Sequence, residues 1–202
     1  MKKIFSLLAL ALLVVLFCFY FFPKQPKNIF DEIYHETEKT YRSNNILRNI
    51  DGFKIRPDWS SDDPNISYTP FGKYETLPKG YSDITIDLNF GKGIKGVLIL
   101  FERKTNSNIT LWYSAHYNIK KKVLKKELAI FEEPRQPGQF IDDEEKVREY
   151  LRKNNISKEE LEKDYDEIIN QKVLKDWCSI YDSKYSPSNY GEVKIETQWE
   201  NW

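Results

Sequence analysis

Among the 202 residues of this chain, the ones that could handle a proton, a metal or a nucleophilic step are 31 Asp and Glu, two His and two Cys. The carboxylates include the adjacent sets Asp62-Asp63, Glu132-Glu133 and Asp142-Asp143-Glu144-Glu145. Glycoside hydrolysis needs two carboxylates at a set separation across a cleft, which adjacency in sequence does not supply. In a chain with 31 acidic residues such pairs read as solvated surface. Asp142 to Glu145 moreover open a segment of helical period, where acids favour the positive end of the macrodipole. His35 and His116 are too few for a histidine-rich metal site, so no metal or cofactor is expected. Cys178 falls beside the apolar stripe of a long predicted helix and reads as a small core residue. GxSxG, P-loop, HExxH and CxxC patterns are all absent. N-x-[ST] sequences stand at Asn65, Asn108 and Asn155 and are too short a pattern to carry a reading.

What remains is recognition. SDITIDLNF alternates, with Ile84, Ile86, Leu88 and Phe90 on one face. A two-residue turn at Lys92-Gly93 then pairs Leu88 with Val97, Ile86 with Ile99 and Ile84 with Phe101, which keeps every apolar side chain on one side. A tight turn at Lys120-Lys121 pairs Tyr117 with Leu124, Tyr113 with Leu128 and Leu111 with Ile130. The result is a four-stranded antiparallel meander. Its second face carries Thr85, Asp87, Asn89, Leu98, Leu100, Thr110, Trp112, Ser114, His116, Lys125, Glu127, Ala129 and Phe131. An apolar centre (Leu98, Leu100, Trp112, Ala129, Phe131) inside a polar rim is the anatomy of a protein interface. Were helices to cover this face too, His116 and Lys125 would need buried partners.

The elements around the meander follow from caps and turns. Asn28 can cap a helix beginning IFDEIY, with Asp31 and Glu32 in its first turn. A helical patch, NNILRNI, stops at the Asp51-Gly52 turn signal, and FKIRPDW, NISYTPF and GKYETLP read as short strands. IDDEEKVREYLRKNN predicts one helix. Ser157 and Glu160 form a capping box for a second, whose buried stripe is Ile168, Ile169, Val173, Leu174, Trp177 and Ile180. EVKIETQW reads as a last strand. The expected class is α+β, one curved antiparallel sheet with about three helices on one side.

Ile4 to Phe22 holds nineteen residues without a charge or a proline, enough for a helix of roughly 28 Å, close to the hydrocarbon thickness. The run ends in bulky residues instead of an A-x-A-like cleavage site, and Phe17 stands before Cys18 where a lipobox needs a small residue. Residues 1–22 are therefore expected to form an uncleaved membrane anchor, 23–27 a short tether, and 28–202 a domain outside the membrane. The three-residue basic start stays in the cytoplasm. Beyond residue 27 the chain carries 27 basic and 31 acidic residues, a net of about −4, which argues against nucleic acid as a partner.

This layout resembles the TipC family of immunity proteins: a short basic start, one anchor, NIFDEIY directly after the tether, and an α+β domain without catalytic motifs. The resemblance implies a domain in the inner wall zone of a Gram-positive bacterium. It implies protection against TelC, an LXG-type toxin exported by type VII secretion that destroys lipid II, and a crescent-shaped domain whose concave face engages the toxin. On this chain that face would use Leu98, Leu100 and Trp112 as anchors. Asp87, His116, Lys125 and Glu127 would give specificity, and Asn89, Ser114 and Phe131 complete the toxin-binding face. A membrane-anchored envelope hydrolase with a carboxylate pair, or a wall-zone ligand-binding module, are the competing readings. An enclosed apolar pocket would favour the latter.

Overall fold

The computed structural model describes residues 25–40, 47, 50–56, 71–88, 95–105, 109–132 and 140–202. The run from Ile4 to Phe22 and most of NNILRNI lie outside these. Among the described residues no helix is long and apolar enough to cross a membrane.

Eight strands form one sheet: β1 (Phe53–Arg56), β2 (Phe71–Tyr74), β3 (Tyr81–Leu88), β4 (Gly96–Lys104), β5 (Ile109–Asn118), β6 (Val123–Glu132), β7 (Phe140–Ile141) and β8 (Lys194–Thr197). Strands β1 to β7 follow one another antiparallel in sequence order. The expectation of a purely antiparallel sheet is corrected by β8, which joins β6 in parallel with Leu124 opposite Ile195. Three α-helices and a π-helical stretch separate β6 from β8, so the chain can re-enter the edge in the same direction. β7 occupies the same edge of β6 further along, at Ile130 and Phe131. Between the two, Gln198 Oε1 accepts the Leu128 amide at 2.7 Å and fills the gap in the ladder.

The predicted registers hold through the centre. Leu88 faces Val97, Ile86 faces Ile99, Tyr117 faces Leu124, Tyr113 faces Leu128 and Leu111 faces Ile130. Two details differ. The pairing shifts by one residue between Ser82 and Thr85, so Ile84 sits in a bulge and is not the ladder partner of Phe101. Asp83 there takes φ +54° beside its ion pair with Lys73. At the β5–β6 turn, pairing ends at Asn118 and Val123, leaving a four-residue loop in place of a two-residue turn. The Lys122 amide closes it on the Asn118 carbonyl at 2.8 Å, with Lys122 at φ +56°. Two lysines at the tip cannot adopt the positive-φ pair that a tight turn needs, so the loop lengthens until one residue does.

Helix α1 (Ile29–Thr40) begins as expected, the Asn28 side-chain oxygen accepting the Asp31 amide at 2.9 Å. Helix α2 (Glu144–Lys153) is capped by Asp143, and α3 (Lys158–Tyr165) by Ser157, whose hydroxyl accepts the Glu160 amide. The chain continues through a π-helical stretch, Asp166–Leu174, into α4 (Lys175–Ile180). Its buried residues explain the widening. The step from Ile168-Ile169 to Val173-Leu174 is five residues, which i→i+5 winding keeps on one face. All these helices pack on the face made by Ile86, Leu88, Val97, Ile99, Phe101, Leu111, Tyr113, Tyr117, Leu124 and Ile130, every one of them buried. Asp164 is the polar pin of this layer: it accepts from Tyr113 Oη and Arg103 Nη1 at 2.5 Å each and from Tyr81 Oη at 3.1 Å.

The segment entering α1 is fastened to the domain from Pro26 onward. Tyr185 Oη donates to the Pro26 carbonyl at 2.9 Å, the Glu192 amide to the Lys27 carbonyl at 2.9 Å, and the Ile29 amide to the Tyr190 carbonyl at 2.9 Å. A Cβ on Gly191 (φ +89°) would lie 2.6 Å from the Lys27 carbonyl, so only glycine admits this approach.

Candidate functional site

With the helices on one face, the opposite face of β3 to β6 is read off the ladders as cross-strand rows. One row runs Asp87, Leu98, His116, Lys125 and on to Glu196 of β8; the next runs Thr85, Leu100, Ser114, Glu127. The third is Ser82, Glu102, Trp112, Ala129, and the fourth Lys104, Thr110, Phe131, Phe140. Two-residue periodicity therefore assembles nearly all of the predicted face. Asn89 lies outside the described residues.

The centre of this face is a concavity of about 340 Å³. Leu98, Leu100, Trp112, Ser114, His116 and Glu127, six of the ten predicted residues, line it together with Ala129. Asp87 stands on the flanking strand β3, half-buried. Lys125 is exposed and opens into a smaller groove of about 190 Å³ shared with Glu127, Glu196 and Gln198. Phe131 is placed under an aromatic cluster. Trp112 meets Phe140 edge to face with ring centroids 5.2 Å apart and Phe131 at 6.1 Å, and Phe131 and Phe140 lie 4.8 Å apart.

Sequence reasoning missed four residues of the site. Phe140, Asp142 and Gln198 line the concavity from β7, the residues after it, and the position directly after β8. Phe140 follows a Pro- and Gly-containing loop, EEPRQPGQ, that carries no register. Gln198 comes directly after the parallel strand. Glu102 was legible, since it is the next alternating position after Leu100. It is 7 % exposed, directly opposite Trp112, with Ser82 Oγ 3.4 Å from its carboxylate. The small residues Thr110, Ser114 and Ala129 are buried on this face, overhung by their larger neighbours.

Electrostatically the floor is mixed in sign. His116 Nε2 lies 3.5 Å from a Glu127 carboxylate oxygen. Burial pushes the imidazole below its usual value of 6.5; Glu127 opposes that shift and Lys125 adds to it. Near neutral pH the imidazole is thus neutral. Among the described residues no group of three His, Cys, Asp or Glu could hold a metal ion. Leu98 and Leu100 make the floor apolar, Trp112 and Phe140 stand beside it, and Glu127, Asp142 and Lys125 lie around it.

A family model described as TipC immunity protein-like matches residues 1–198. Among solved structures, that of TipC2 from Streptococcus intermedius B196 is 42% identical; the match covers 88% of this chain and 99% of that one, with a TM-score of 0.80. No curated protein matches the chain. The chain belongs to the TipC immunity protein-like family.

Proposed function

We propose that this member of the TipC family is a membrane-anchored immunity protein that binds a type VII-secreted toxin of the LXG class and blocks it by occlusion, without catalysis of its own. The observation that carries the reading is the concavity of about 340 Å³ on the helix-free face, floored by Leu98 and Leu100 and walled by Trp112. A protruding apolar side chain of a partner would seat against Trp112 and exclude water there, which is where binding energy concentrates. Ser114, His116 and Glu127 around it, with Lys125 and Asp87 beyond, would set which partner fits. The half-open shape favours a protein surface over an enclosed small ligand.

Residues 4–22 serve in this reading as the anchor, with the domain outside the membrane. An inhibitor held there is concentrated where a TelC-like enzyme attacks a lipid-linked precursor such as lipid II. The test is a titration of the protein against TelC and against the LXG-type toxin encoded nearest to it. One-to-one binding that is lost in a folded Trp112→Ala variant supports the reading. Binding unaffected by that substitution moves the interface elsewhere, and no binding to either toxin overturns the partner class.

A further inference from the structure

The end of the sheet where the chain enters the domain is rich in lysine. Asn28 reaches it directly, its side-chain amide donating to Tyr117 Oη at 2.8 Å, and Asn28 bridges Gly191. Gly96 and Asn118 are ladder partners there, as are Asn118 and Val123, and β8 begins beside Val123. The Ile119 amide donates to the Lys95 carbonyl at 3.1 Å, which brings the start of β4 against the β5–β6 loop. Lys95, Lys120, Lys121, Lys122 and Lys194 thus converge with Lys27 at one end. The carboxylates found there are already engaged, Asp31 with Lys122, Glu192 with Lys27 and Glu196 with Lys194. Lys95, Lys120 and Lys121 are exposed and form no salt bridge among the described residues.

A cleft of about 980 Å³ opens at the same end, between Lys27, His35, Lys122 and Lys184. The chain outside the described residues ends here as well. Only Pro23, Lys24 and Gln25 separate Phe22, the last residue of the apolar run, from Pro26, which is hydrogen-bonded to the domain. Four such steps reach at most roughly 14 Å, so an apolar run in a bilayer would hold this end within the headgroup region.

We propose that this lysine-rich end docks on anionic phospholipid headgroups and fixes the domain upright, with the strands rising away from the membrane. The proposal rests on residues 4–22 being the anchor. Each lysine close to an anionic surface is worth roughly a factor of five, so Lys95, Lys120 and Lys121 together favour the docked orientation by about a hundredfold. A consequence follows for the concave face: it would stand side-on to the membrane, open to a partner approaching along it.

The test is lysine footprinting of the full-length protein in lipid nanodiscs, with an uncharged amine reagent and readout by mass spectrometry. Discs of phosphatidylcholine alone are compared with discs containing about one third phosphatidylglycerol. Lys104, exposed at the far end of β4 and roughly 26 Å away, is the internal control. The expected result is modification of Lys95, Lys120 and Lys121 slowed at least about fivefold in the anionic discs alone, with Lys104 unchanged. High salt should restore the rates, as should K95E/K120E at Lys121. Equal rates in both lipids, or equal slowing at Lys104, overturn the docking. Failure of the protein to stay with either disc overturns the anchor itself, a separate result.

Discussion

Trp112 and Phe140 meet edge to face at 5.2 Å, 71° between their planes, beside the short stretch where Phe140 and Ile141 of β7 pair with Phe131 and Ile130 of β6. The residue that sequence singled out as an anchor is thereby held by one that sequence did not reveal. Trp112 is partly buried on the face away from the helices and its support is a short strand, so its removal should leave the helix-facing core intact. Trp112→Ala is expected to weaken partner binding by about 2–4 kcal/mol, the range of a central aromatic. Its melting temperature should move by only a few degrees. Calorimetric titration and a thermal melt on the same preparation check this; a large loss of stability with little loss of affinity would make Trp112 a structural residue.

Lys122 answers the buried carboxylate of Asp31, 2.7 Å from both of its oxygens, and Tyr117 Oη donates to one of them at 2.5 Å. The Asp31 side chain is 2 % exposed and that of Lys122 37 %. Removing the lysine strands a buried charge, whose cost reaches about 3–5 kcal/mol when both partners are buried. With Lys122 partly in water, Lys122→Met should destabilise by roughly 2 kcal/mol. Asp31→Asn added to it should recover part of that loss. A double-mutant cycle by urea denaturation gives the coupling directly, and additive effects would rule the clamp out.

These two sites show what the sequence could and could not say. Alternation fixed the faces of β3 to β6, because a one-residue slip would have exposed Ile86, Tyr113 and Leu124 together. The Asn28 and Ser157 caps were legible because the chemistry is local to a few residues. In the sequence Asp31 is a helix-dipole charge, and its tie to Lys122 is invisible there, since 91 residues separate them. The same holds for Phe140 and Gln198, whose places depend on where a loop and a parallel strand return to the β6 edge. The bulge at Asp83 and the four-residue loop before β6 each turn on one non-glycine residue at positive φ. Only Asn, Asp and Gly advertise that conformation reliably, so the lysine at 122 gave no signal.

Gln198 ties the concavity to the edge of the sheet. Its side-chain oxygen takes the Leu128 amide at 2.7 Å, in the gap between β7 and β8, while the residue also lines the site. Gln198→Ala should lose about 1 kcal/mol of stability for the missing bond. It should weaken partner binding as well, because the wall of the concavity moves. Gln198→Glu removes nothing in size and keeps an acceptor for the amide, so it should restore stability while adding a charge to the rim. A Glu variant as unstable as the Ala variant would contradict this account.

The His116–Glu127 pair makes stability depend on pH in a definite direction. Burial holds the folded-state imidazole below 6.5, so between the unfolded and folded values the unfolded chain binds more protons than the folded one. Stability from this group is complete above the unfolded value and declines as pH falls through 6.5 toward the folded value. Glu127, 3.5 Å away, softens the decline by favouring the protonated ring. His116→Gln should therefore flatten the stability profile between about pH 7.5 and about pH 5.5 relative to the unsubstituted protein. Glu127→Gln should steepen it, since the imidazolium then has no compensating charge. Urea midpoints of the three proteins at both pH values decide the matter. A profile unchanged by His116→Gln would mean that other groups, not this histidine, set the acid response.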